Sequence, residues 1–193
     1  MNEADVSASV QRRLADENSE LVLADATKIV GCYKALLKSD FAADAAGDHQ
    51  PMRRAIAFAR SIDASKLFAA EFAKVAAEWR ATVESEAGTD ALPVLKCHVK
   101  HVDGGFNAKS RDALLSWLKE DTGRSDECRI LTNARCLSEG VDVPALDAIM
   151  FLHPRKSQID VVQAVGRVMR QAEGKRMGYV ILPVGVPAGV EPE

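Results

Sequence analysis

The residues best suited to chemistry in this chain are a glutamine and two arginines within QAVGRVMR (163–170). At about 100° per residue on a helix, Gln163, Arg167 and Arg170 fall within roughly 60° of one another, while Val162, Val165 and Met169 gather on a different face. The second face is expected to pack and the first to present guanidinium groups. Two rigid five-donor forks on one helix face suit an anion such as a triphosphate, although two arginines alone read first as a solvated face. A mid-helix glycine costs about 1 kcal/mol relative to alanine, so Gly166 beside the polar face suggests close approach of another backbone or a phosphate. Upstream, LSEGVDVPAL (137–146) follows an apolar strand and is therefore expected at the C-terminal edge of a sheet, where open α/β folds place ligands. Gly140 permits a tight turn there, Asp142 offers a carboxylate, and Pro144 stiffens the exit.

Other constellations carry less. Cys97, His98, His101 and Asp103 include metal-ligating types, but alternation along a strand sends neighbours to opposite faces, and no metal site is expected. Asp126 and Glu127 precede a strand, whereas a magnesium-holding acid should follow one. The one Gly-Lys pair, Gly174 and Lys175, is followed by Arg176, so the phosphate cradle G-x-x-x-x-G-K-[ST] is absent. Trp79 and Trp117 both fall on helical apolar faces and read as core.

The elements that must position these residues can be traced from residue 54 onward, where short apolar runs alternate with longer amphipathic stretches. This is the pattern of a parallel sheet with crossover helices. Five strands are expected at 54–60, 93–99, 129–133, 147–152 and 178–183. Ser61 caps a helix whose Phe68, Phe72, Val75 and Trp79 form a core-facing stripe. Asn107 caps another, anchored by Leu114, Leu115 and Leu118, and Ser157 with Asp160 resembles a capping box that opens a helix to about Gln171. Before the sheet, Ile29, Val30, Tyr33, Leu36 and Leu37 line one side of a helix over 26–38 that is expected to pack on the domain, followed by a linker that ends at Pro51. The expected organisation is a helical extension and linker over 1–50, an α/β domain over 51–186, and a tail over 187–193 where the chain is expected to be cut.

Composition bounds the class. The chain has 193 residues, 47% apolar and 27% charged, which excludes disorder and predicts one globular domain with a short appendage. No apolar run is long enough for a membrane span, and the start lacks a signal-peptide pattern, so a cytoplasmic location is expected. Cys32, Cys97, Cys128 and Cys136 show no regular spacing, which argues for reduced thiols. The formal net charge is −3, yet His153–Arg176 holds six cations against two acids. A basic edge on an acidic body follows.

Taken together, LSEGVDVPAL, the intervening strand and QAVGRVMR resemble the motif V and motif VI region of superfamily 2 helicases. The stretch from Ile130 to Arg170 looks closest to the second RecA-like domain of helicases in restriction systems, the type ISP and type III-like enzymes. The resemblance covers about 54–184 and implies a three-layer αβα, RecA-like (P-loop NTPase-like) helicase C-terminal domain without its own P-loop. It implies that Arg167 and Arg170 are the catalytic arginine-finger pair, and that Gly140, Asp142 and Gln163 lie at ATP. It also implies that Ser61, Asn133 and Arg135 run along the nucleic-acid backbone; a plain N-cap is an equal reading of Ser61. His101, with Gly104 and Arg111, sits where that family has its post-strand motif, which would allow a backbone contact to nucleic acid; a buried strand end and a solvated arginine are the preferred reading. The sequence departs from the DEAD-box version: Ala164 follows Gln163 where a His-Arg pair opens the motif, and Ala134 stands at the motif V threonine.

The expected whole is the C-terminal motor domain of an ATP-dependent DNA helicase or translocase from a restriction-modification or phage-defence enzyme. ATP and Mg²⁺ would be held mainly by an N-terminal RecA-like domain of the same polypeptide, and the substrate would be double-stranded DNA. The fragment alone is expected to be inactive. The rival expectation is a noncatalytic α/β module, derived from a helicase, that binds a protein or small ligand.

Overall fold

In the computed structural model, the described residues are 23–38, 48–87, 94–134, 143, 146–154, 158–172, 175 and 177–183. Within these, the side chains of 23, 24, 86, 87, 158–160 and 167 are not described. Gly140, Asp142 and Arg135 therefore lie outside the described residues, as does the tail beyond 183.

Five parallel strands form one sheet: β1 (Arg54–Phe58), β2 (Lys96–Val102), β3 (Glu127–Asn133), β4 (Ala148–Phe151) and β5 (Tyr179–Ile181), in the order β2-β3-β1-β4-β5. Each strand falls within or beside its expected run, and β2 is shifted toward the C-terminus by three residues. The helices are α1 (Leu23–Leu37), α2 (Ile62–Ala87), α3 (Ala108–Lys119) and α4 (Gln158–Val168). Caps fix two of their starts. Ala64 N donates to Ser61 Oγ at 3.2 Å, and Ser110 N donates to Asn107 Oδ1 at 2.8 Å.

The central strand shows how a pleat builds three layers. Ala55 and Ala57 point to one face, where α1 and α2 pack; Ile56 and Phe58 point to the other, with Leu118 of α3 and Ala164 and Val168 of α4. Phe58 pairs in register with Phe151, and their rings stack at 5.4 Å. Helices on both faces of a parallel sheet give the αβα, RecA-like architecture.

Helix α1 contributes to the same core as the sheet. Ala26, Ile29, Tyr33 and Leu36 are each at most 1% exposed, in one cluster with Phe72 and Trp79 of α2. The chain after α1 is tied back as well: Met52 N donates to Leu36 O at 2.9 Å, and Lys38 Nζ pairs with Asp48 at 2.8 Å. The compositional change near residue 50 is thus not a break in packing. Trp79 is buried as expected. Trp117 is only partly buried, with Lys100 Nζ 4.3 Å and Arg129 Cζ 5.3 Å from its ring centre.

Asp147 fastens the N-terminal edge of the sheet. Its carboxylate accepts from Arg53 N and Arg54 N at 2.8 and 2.9 Å, and its carbonyl accepts from Tyr179 N at 2.8 Å. One side chain and its backbone thereby join β1, β4 and β5. Cys32 and Cys128 are buried free thiols: burial pushes Cys32 up to about 12 and raises Cys128 well above its ordinary value.

Candidate functional site

Helix α4 packs on a face displaced from the expected one. Ala164 and Val168 are buried and Val161 and Val165 partly so, at spacings of three and four. Val162 and Met169, expected to pack, are 69% and 64% exposed. The physical reason is that the apolar arc of this helix is wider than its contact. Val161, Ala164, Val165 and Val168 form its centre, and Val162 and Met169 lie on its flank.

The helix ends at Val168, three residues before the expected end near Gln171, so Arg170 lies just past it. Gln163 on the helix and Arg170 beyond it are exposed; the Arg167 backbone is helical, and its side chain is outside the described residues. Gly166 has no left-handed backbone, and a Cβ added there would meet nothing within 4 Å among the described residues. Nothing in the described packing thus requires a glycine at that position.

The far end of α4 is held by two residues that sequence reasoning did not single out for a role. Lys175 Nζ donates to the carbonyls of Val168 and, at 2.9 Å, Arg170, placing a cation at a helix C-terminus where the dipole favours it. Burial lowers the Lys175 pKa, opposed by the Asp147 carboxylate. At Gly178 a Cβ would overlap the Val168 carbonyl, so only glycine lets the chain entering β5 pass this close. The sequence signal was faint, a lysine and a glycine following the periodic segment.

Residues 135–142, which carry Gly140 and Asp142, lie outside the described residues. Val143, the next described residue, is 2% exposed, in one cluster with Ala164 and Val168.

A second group of residues occupies the C-terminal edge. Ser61 caps α2 just after β1 and is partly exposed. Asn133 departs from the expectation of a ligand-facing side chain. It is 0% exposed, and its Nδ2 donates to Ala57 O at 3.2 Å, so the amide joins β3 to β1 instead of reaching outward. His101 also turns inward. Its Nδ1 is 2.7 Å from Ser65 Oγ and its Nε2 is 2.9 Å from Asp103 Oδ2, while Ser65 Oγ is 2.9 Å from Thr132 Oγ1. His101 and the Gly105 N–H hold the Asp103 carboxyl below the usual carboxylate range. Among the described residues there is no group of three His, Cys, Asp or Glu that could hold a metal, and no helix long and apolar enough to cross a membrane.

Residues 38–172 match the protein family described as helicase conserved C-terminal domain. Among solved structures, a chain described as the ATP-dependent Type ISP restriction-modification enzyme LlaBIII bound to DNA superposes with a TM-score of 0.79 and 39% identity, over 99% of this chain and 12% of that one. A probable helicase of African swine fever virus is 39% identical over 62 residues, 32% of this chain and 7% of the relative. A 51.5 kDa protein of a Lactococcus phage is 30% identical over 127 residues, 66% of this chain and 23% of the relative. The chain spans only a small part of each of these proteins.

Proposed function

The chain belongs to the helicase conserved C-terminal domain family, in superfamily 2 and close to a restriction enzyme, and on that basis we propose that it is the second motor domain of an ATP-dependent DNA helicase or translocase of a restriction or defence enzyme. The observation that carries this reading is the 39% identity, sustained over 99% of the chain, to an enzyme described as ATP-dependent and DNA-bound.

Gln163 and Gly166 are exposed on α4 and Arg170 is exposed just past its end, and with Arg167 we assign them to one side of a nucleotide. Gln163, Gly140 and Asp142 would lie at the nucleotide, and Arg167 and Arg170 would donate to its phosphates. Bound ATP with Mg²⁺, gripped mainly by the Walker-bearing N-terminal domain, would supply the phosphoryl transfer that drives the cycle. The guanidinium groups would stabilise charge developing on the transferring phosphoryl oxygens. Closure of the two domains would then be coupled to movement along double-stranded DNA. On the nucleic-acid side, Ser61 and the first turn of α2 offer N–H donors to a backbone phosphate. Arg135 is assigned beside them, and Asn133 acts by keeping the end of β3 in place.

A motor divided in this way makes a direct expectation. The purified chain should release no phosphate from ATP above the buffer rate, with or without DNA, whereas the full-length protein should be stimulated by DNA. Turnover by the chain alone would overturn the divided site. A full-length protein indifferent to both ATP and DNA would overturn the motor.

Gly166→Ala separates stability from function. With no neighbour to displace among the described residues, alanine should leave the fold unchanged or stabilise it by up to about 1 kcal/mol. The same methyl group should lower ATP turnover of the full-length protein if a phosphate or the facing domain closes on this turn. Thermal unfolding and ATPase assays check the pair, and unchanged turnover would remove Gly166 from the site.

A further inference from the structure

The Ser65–His101–Asp103 chain, with Thr132, joins the segments after β1 and β2 to the end of β3 at one edge of the sheet. Ser65 lies in the first turn of α2, and its N–H donates to Ser61 O at 3.0 Å, so fixing Ser65 fixes the capped end. His101 and Asp103 end β2, and Thr132 is the penultimate residue of β3. Ser65 and Thr132 are both 0% exposed. A serine, a histidine and an aspartate in this order invite comparison with an acyl-transfer triad, but the fully buried Ser65 hydroxyl is closed to any substrate.

The donors and acceptors assign a direction. The Asp103 carboxylate only accepts, so Nε2 of His101 carries the proton it shares. In the neutral ring Nδ1 then accepts from the Ser65 hydroxyl, and Ser65 Oγ accepts from Thr132. The Ser65, His101, Asp103 and Thr132 side chains are linked in series, and removing the imidazole would leave the buried Ser65 hydroxyl without one of its partners. At the outer end, Asp103 Oδ1 accepts from Gly105 N at 2.8 Å, which closes the turn after β2, and Phe106 meets the His101 ring edge-on at 6.1 Å. Hydrophobic packing alone would tolerate small shifts between these segments, whereas a chain of directional bonds holds them in register.

We propose that His101 is a positioning residue that locks the start of α2, the turn after β2 and the end of β3 into one rigid platform for the DNA backbone. The proposal rests on the reading of this edge as the nucleic-acid face. It assigns His101 no contact with DNA; the imidazole acts through Ser65 on the α2 N-terminus and through Asp103 on the Gly104–Gly105 turn.

The test uses the full-length enzyme with His101→Ala and His101→Gln, the latter retaining one donor and one acceptor. ATPase activity is titrated with duplex DNA, and thermal unfolding is recorded in parallel. For His101→Ala the DNA concentration giving half-maximal stimulation should rise about ten-fold or more, with the rate at saturating DNA changed less than two-fold. His101→Gln should recover most of that loss. Asp103→Ala, at the outer end of the chain, should weaken DNA in the same sense and serves if His101→Ala does not fold. Half-saturation unchanged in the alanine variants, or equal behaviour of alanine and glutamine at position 101, would overturn the proposal. An absence of DNA stimulation in the wild-type enzyme would instead overturn the motor reading itself.

Discussion

Arg167→Ala or Arg170→Ala in the full-length protein should lower ATP turnover at saturating nucleotide by about 10³-fold or more, with no loss of folded protein. The magnitude follows from what an arginine supplied to a transferring phosphoryl group contributes, about 10³ to 10⁵ in rate. The lack of a folding penalty follows from where α4 packs. Its core contacts are Val161, Ala164, Val165 and Val168, whereas Arg170 is exposed beyond the last of them. Lysine should not substitute, because a point charge lacks the planar fork that engages two phosphate oxygens together. The double variant should be little worse than either single one, since both groups act on the same charge. Steady-state phosphate release, with circular dichroism as the folding control, measures the effect. Turnover within about three-fold of wild type would remove the arginines from the reaction and leave a solvated helix face.

Tyr33→Ala should destabilise the domain by about 3–5 kcal/mol, the cost of deleting a large buried aromatic. Tyr33 is 1% exposed, its ring meets Phe72 at 6.4 Å and Trp79 at 5.8 Å edge-on, and its hydroxyl donates to Leu95 O at 3.2 Å. Tyr33→Phe keeps the ring contacts and loses only the hydrogen bond, for about 0.5–1.5 kcal/mol. In a domain of this size each kcal/mol moves the midpoint by about 2–4 °C, so alanine should lower Tm by roughly 6–20 °C. If α1 were an appendage lying on a finished domain, the alanine variant would fall within about 0.5 kcal/mol of wild type. Calorimetry of the three proteins distinguishes these cases.

Much of the architecture was legible because its causes are local. The alternation in RAIAF puts small residues on one face and large ones on the other, and parallel strands buried on both faces require apolar runs of this kind. Ser61 and Asn107 announce helix starts because a cap bonds a backbone N–H three residues away. The stripe from Ile29 to Leu37 is readable because a helix must hide such a face. The side of α4 that packs was read one flank too far, since periodicity gives the breadth of an apolar arc and not the part of it that a neighbour covers.

The amino-acid order by itself determined the alternation of strands and helices, the polar face of QAVGRVMR, and the resemblance of LSEGVDVPAL with that helix to a helicase motor. Each depends on residues within a few turns of one another. Only the tertiary structure decided which partners α1 meets in the core, that Asn133 points inward to Ala57, that Gly178 makes room for the Val168 carbonyl, and that Ser65 finds His101 and Thr132. These contacts join residues between 10 and 76 positions apart or, for α1, whole layers, and a pattern of period two or 3.6 carries no record of such distances. They exist because the parallel sheet brings its strand ends to common edges, where side chains from separate connections compete for the same buried partners.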